Sequence, residues 1–201
     1  MRFPERGLYV SWSFWLLILL AAIVSPLTIV LSILLAAALH ECGHLLALQA
    51  FHVPIEGLRL SAFGAVLHAR GAQRLSYGRE LVVTLAGCGM NLVCGVLTAW
   101  FSLHYVWVEG FVFAGAHILL CAFNLLPIPP LDGSKVLFAV LPDAWYGKLM
   151  RYERFGMVLL AVLLLTGVLD TPLSFLRDGL TGALEAIGTW PADLILNAFG
   201  A

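Results

Sequence analysis

Charge is what this chain has least of. Asp, Glu, Lys and Arg make up 11% of its 201 residues, where a soluble domain carries about 25%. With 61% apolar residues and a mean hydropathy of +0.96, the shortage excludes an ordinary water-soluble fold. Net charge is −1 and no basic tract exists, so nothing points to nucleic acid. Cysteine is scarce and unpatterned. Cys42, Cys88, Cys94 and Cys121 all fall in apolar stretches and read as small buried residues, not as a disulfide framework. No internal repeat and no appended soluble domain is visible. Arg2 and Arg6 ahead of Phe14–Leu20 imitate a signal peptide. The apolar run continues past them into the next helix, so the segment is expected to be retained.

What the chain does have is long apolar runs. The first extends from Ser11 to Phe51, and its only charge lies in His40-Glu41-Cys42-Gly43-His44. On a helix, His40 and His44 share one face. Two imidazoles placed that way can hold zinc, and the glutamate between them can act as general base toward a metal-bound water. A charge at the centre of a bilayer costs about 3 kcal/mol or more, so Glu41 needs a reason to be there, and metal chemistry supplies one. The plain alternative is two packed histidines and a stray glutamate. Cys42 points away from the ligand face.

The pattern predicts an all-α polytopic membrane protein of about five to six transmembrane helices, with a short membrane-associated β-hairpin between the second and third spans. Residues 1–26 hold the first span, broken at Ser25-Pro26. The 41 residues from Ser11 to Phe51 are too many for one crossing, so Pro26 marks a tight turn into a second span over 27–50. Residues 53–75 read as the hairpin, because Leu58–His68 alternates with a loose period of two. The third span covers about 77–101, and its Gly87, Gly89, Asn91 and Gly95 region reads as a helix-packing face. The fourth, about 106–126, runs into Asn124–Gly133, where three prolines and a glycine forbid a regular helix. Such backbone at membrane depth must be buried in protein or line a watery cavity. Helix resumes over Ser134–Leu141, which makes 27–142 a three-helix core. Within 143–201, a fifth span is expected at about 155–169, followed by an amphipathic or partly inserted tail with a partial sixth span near 186–201.

With the N-terminus inside, ten of the eleven basic residues fall on the cytoplasmic side and only Arg177 falls outside. The C-terminal end of the second span, which carries the histidines, then faces the cytoplasm.

Two histidines do not complete a catalytic zinc site, which uses three protein ligands and leaves a position for water. Glu41 is better kept as base. Asp132 is the other acid in a long apolar context, and it follows the broken helix. Its alternative is an N-cap of the next helix. His117 and Cys121, also four apart, offer a different completion, a closed site of His40, His44, His117 and Cys121 that would leave the proline break unexplained. His52, His68 and His104 sit at interfaces and need no function.

His40–His44 together with Asn124–Gly133 resembles the site-2 protease family of intramembrane zinc metalloproteases. That family pairs H-E-x-x-H on one span with N-x-x-P-x-x-P-x-D-G on a later one, matched here by Asn124, Pro127, Pro130, Asp132 and Gly133. The resemblance covers about residues 27–142. Leu60–Gly64 is similar to the family's membrane-associated strand, and Ala86–Asn91 to its A-G-P-x-x-N stretch. Cys88 stands where proline is usual, and Ala65 where a second glycine is usual; neither touches the ligands the resemblance implies. It implies one Zn2+ per chain on His40, His44 and Asp132, Glu41 as catalytic residue, and Asn124 on the substrate or its oxyanion. It further implies a transmembrane-helix protein as substrate, a multi-pass location in a bacterial or archaeal cell membrane, and regulation by a partner membrane protein. The form is compact, with no room for a PDZ or nucleotide-sensing domain, and similar to the sporulation branch. The Leu58–His68 strand is a candidate for binding an unwound substrate segment, or an ordinary interfacial hairpin. Two other functions compete. A membrane zinc transporter should show several ligand clusters and repeated halves, and a non-catalytic helix binder would not need Glu41.

Overall fold

A computed structural model of the chain describes residues 7–62, 64–69, 75–140, 155–156 and 158–186. The order is β1 (Gly7–Val10), α1 (Trp12–Val24), α2 (Leu27–Ala50), β2 (Ile55–Ser61), β3 (Gly64–Ala69), α3 (Tyr77–Tyr105), α4 (Val108–Asn124), α5 (Asp132–Val140), α6 (Val158–Leu165) and α7 (Asp170–Ala186).

Proline punctuation sets the first boundary. Ser11 caps α1, its Oγ accepting from Ser13 N, and Ser25 is forced extended (φ −127°, ψ 152°) by the following Pro26. Pro26 then opens α2, where a missing N–H costs nothing. The far end of α2 is closed by a Schellman motif. His52 takes the left-handed conformation (φ 56°), its N–H bonds Gln49 O, and Val53 N bonds Leu48 O at 2.9 Å. That reversal feeds the chain into β2.

The predicted hairpin is present over β2 and β3, antiparallel, with Ser61 opposite Gly64. It is shorter than 53–75. Exposure alternates residue by residue along β3, as one half-buried face requires. The sheet has a third strand that the spacing did not predict. β1 pairs parallel to β2, with Leu8 opposite Leu58, giving the order β1-β2-β3. Gly7 and Gly57 face each other so closely that a Cβ on Gly57 would lie 2.9 Å from Gly7 O.

Helices α2, α3 and α4 pack pairwise into the three-helix core. Small residues permit the approach. A side chain at Gly43 would overlap the Ala86 carbonyl of α3, and one at Gly95 would come 3.2 Å from the His117 Cβ of α4. Ala99, Phe111, Ala114 and Ile118 form one buried cluster between α3 and α4. Outward-facing Trp15, Leu19, Leu31, Leu35, Val93 and Leu97 are exposed, as lipid-facing positions would be.

The span count differs from five to six. Among the described residues, α2 (24 residues) and α3 (29 residues) are long and apolar enough to cross a membrane. The α6–α7 pair could make a third candidate, bent by 87°. α1 and α4 are apolar but have 13 and 17 residues, about 20 and 26 Å, short of a 30 Å hydrocarbon layer. The expected fifth span at 155–169 is instead the eight-residue α6 followed by turns and α7. The partial sixth span near 186–201 and the polar stretch 143–154 lie outside the described residues.

The proline-rich break is buried in protein. Leu126 and Leu131 join Leu160 and Leu169 in a second cluster, so α6 and the turn before α7 cover the irregular backbone. Gly133 lies directly on the Leu125 and Leu126 carbonyls, with no room for a Cβ. All four cysteines are free, but only Cys88 and Cys121 are buried; Cys94 is half-buried and Cys42 exposed. The reading of all four as buried residues is corrected accordingly, Cys42 lying on the face of α2 turned from the core.

Candidate metal centre

α2 supplies two imidazoles one turn apart, and the end of the proline break supplies a carboxylate. His40 Nε2 lies 3.1 Å from Asp132 Oδ2, His44 Nε2 lies 2.8 Å from the same oxygen, and the two Nε2 atoms are 3.1 Å apart. Ligand atoms of these three residues lie within 4.8 Å of one another, and no other such group of His, Cys, Asp or Glu occurs among the described residues. His40 and Asp132 are buried and His44 nearly so.

The donor set fits a metal. His44 Nδ1 donates to the Val83 carbonyl at 2.7 Å, so a neutral His44 presents a lone pair at Nε2. Facing it at 2.8 Å is a carboxylate oxygen, also an acceptor. Two acceptors at that distance need a cation between them, either a proton or a metal ion. The edges of the triangle, 2.8 to 3.1 Å, are close to the ~3.3 Å spanned by adjacent ligands of a tetrahedral ion with ~2.0–2.1 Å bonds. Space is reserved as well. A Cβ on Gly87 would stand 2.5 Å from His44 Nε2 and 2.7 Å from His40 Nε2, so only glycine leaves this side of the cluster open.

Glu41 lies between the histidines in the chain, half-buried, and within electrostatic reach of His44, His40, Asp132 and Lys135. Asp132 is the first residue of α5, and both its oxygens are directed at side chains, Oδ2 to the imidazoles and Oδ1 to Lys135 Nζ at 2.8 Å. Asn124 is not brought to the cluster, because its Nδ2 donates to Leu120 O of its own helix at 3.0 Å. His117 and Cys121 do not complete the site. His117 Nδ1 bonds Asn91 Oδ1 at 3.0 Å, and Cys121 is buried beside Cys88, whose Sγ faces its carbonyl. Spacing had assigned Gly87 and Asn91 to a packing face, yet both front the imidazoles. The available signal was an amide, Asn91, inside an apolar span, where a polar group needs a partner.

No family profile matches the chain. The zinc metalloprotease MJ0392 of Methanocaldococcus jannaschii is 27% identical over 143 residues, which is 67% of this chain and 41% of that protein. Stage IV sporulation protein FB of Bacillus subtilis is 29% identical over 128 residues, 62% of this chain and 44% of that one. The chain spans about two fifths of the length of the curated relatives it matches. The solved site-2 protease from Methanocaldococcus jannaschii superposes with a TM-score of 0.61 at 20% identity, covering 90% of this chain and 89% of that one, so the fold is shared. In its relatives and its fold, as in its paired motifs, the chain resembles the site-2 protease family of zinc metalloproteases.

Proposed function

We propose that the chain is an intramembrane zinc metalloendopeptidase, cutting a peptide bond in or near a transmembrane helix of a membrane-protein substrate. The observation that carries this is the convergence of His40 Nε2, His44 Nε2 and Asp132 Oδ2 beside Glu41. Zinc suits two neutral imidazoles and one carboxylate, a three-ligand set of the kind that leaves a fourth position open in catalytic sites. The names of the relatives support the same metal and reaction. Bound there, zinc supplies Lewis-acid chemistry, polarising the scissile carbonyl and bringing the pKa of a water to about 7. The Glu41 carboxylate takes the proton of the attacking water and passes it to the leaving amine nitrogen. Lys135 holds Asp132 Oδ1, which leaves Oδ2 for the ligand role. Asn124 is assigned to the reacting carbonyl; reaching it requires a side-chain rotation away from Leu120 O.

A substrate helix has its carbonyls hydrogen-bonded and must unwind before attack. β2 is paired on both sides, so the unwound segment adds as a strand along the sheet edge at β3. The basic residues orient the N-terminus and the site toward the cytoplasm, and a regulatory membrane protein is the expected further partner beside the bilayer and the substrate. A transporter would need further ligand clusters, and among the described residues there is one.

The test uses purified protein and Glu41→Gln in detergent with a panel of single-span membrane proteins, products read by mass spectrometry. Wild type should cut within or beside a transmembrane segment, and Glu41→Gln should retain zinc and lose cleavage by at least ~100-fold. Cleavage by Glu41→Gln at the wild-type rate removes Glu41 as base. Wild type that binds these proteins without cutting any supports the non-catalytic binder.

A further inference from the structure

α3 presents three groups to the imidazole pair at four-residue spacing: the Val83 carbonyl, the bare Gly87 and the Asn91 amide. The first fixes His44 through Nδ1. Asn91 is fully buried and bridges two imidazoles. Its Nδ2 lies 3.2 Å from His40 Nδ1, and its Oδ1 lies 3.0 Å from His117 Nδ1. With this orientation His40 Nδ1 is the acceptor, so a neutral His40 carries its proton on Nε2 and donates it to Asp132 Oδ2 at 3.1 Å. That is a metal-free arrangement.

A metal takes the lone pair of Nε2, so a neutral His40 that ligates through Nε2 carries its proton on Nδ1. An N–H and an amide NH2 would then confront each other at 3.2 Å, two donors with no acceptor, at a site sealed from water. Turning the amide over removes the conflict. Asn91 Oδ1 then accepts from His40 Nδ1–H, and Nδ2 donates to His117 Nδ1. His117 must release Nδ1 and hold its proton on Nε2. That nitrogen is fully buried and has no hydrogen-bond partner among the described residues, so moving the proton there breaks no existing bond. Each imidazole keeps one proton throughout and only changes tautomer.

We propose that Asn91 is the positioning residue of His40, that its amide turns over when the metal binds, and that His117 is the partner that makes the turn permissible. The proposal rests on the metal reading of His40, His44 and Asp132. Asn91 touches neither metal nor substrate and acts through the ring it holds.

The experiment measures zinc affinity of detergent-purified wild type, Asn91→Leu and Asn91→Asp by competition with a chromophoric chelator, together with the visible spectrum of the cobalt(II) forms. Asn91→Leu keeps the volume and removes the acceptor. It should bind zinc about 10- to 100-fold more weakly and shift the cobalt bands. Asn91→Asp keeps an acceptor against His40 and should remain close to wild type. Long-range 1H–15N spectra of wild type carry the test if the leucine variant does not fold. The His117 proton should sit on Nδ1 without zinc and on Nε2 with it. Wild-type affinity in Asn91→Leu, equal losses in Asn91→Leu and Asn91→Asp, or a His117 tautomer unmoved by zinc overturns the proposal alone. Wild type that binds no stoichiometric zinc overturns it together with the metal reading.

Discussion

At Gly87 a single added carbon would sit among the ligand nitrogens, 2.5 Å from His44 Nε2. Gly87→Ala is therefore expected to weaken zinc binding by about tenfold or more, while Gly89→Ala, where a Cβ meets open space, leaves it unchanged. Chelator competition on the two variants checks the contrast. Lys135 acts at the other end of Asp132. Its side chain is 53% exposed, so water screens the ion pair, and Lys135→Met should lower zinc affinity only a few-fold, read in the same assay. These residues also mark what the sequence could disclose. His40, Glu41 and His44 were legible because one helical turn fixes their relation. Asp132, ninety-two positions from His40, was legible only as an acid after a broken helix and through a family resemblance. Asn91 and Gly87 share a helix face by spacing, but which neighbour that face meets is decided by how α2 lies against α3, which spacing does not contain.

Among the elements, the break between α4 and α5 matters most, because it delivers Asp132 to a helix that begins ninety-odd residues earlier. Its cover is the cluster of Leu126, Leu131, Leu160 and Leu169. Leu131→Ala removes a side chain next to Asp132 in that cluster. Buried leucine truncations cost about 2–5 kcal/mol in soluble cores. The variant should melt at lower temperature and lose zinc earlier in the melt than wild type, followed by cobalt absorbance alongside circular dichroism. The break itself was legible from its prolines, and so was the hairpin from its alternation. β1 was not. Four residues carry no usable period, and its partner β2 lies some fifty positions away. The fifth span was misjudged for a related reason. An apolar run reports hydrophobicity but not direction, and α6 and α7 turn by 87° within one such run.

For the whole molecule, the cationic end of the bundle agrees with the orientation read from charge. The Arg79 guanidinium lies over the Phe51 ring at 5.4 Å where α2 ends and α3 begins, and that of Arg59 over Tyr9 at 5.7 Å in the sheet. The hairpin tip is then expected on the cytoplasmic side. With the four native cysteines replaced, a cysteine placed at Ala62 should react with a membrane-impermeant thiol reagent in inverted vesicles and not in intact cells; the opposite pattern would reverse the topology. The central claim is that α2 and the start of α5 close one zinc site within this bundle. The most direct measurement is the metal content of detergent-purified wild type beside Asp132→Ala. The account predicts one zinc per chain in wild type, lost or sharply reduced in the variant. Zinc retained in full by Asp132→Ala, or absent from wild type, would contradict it.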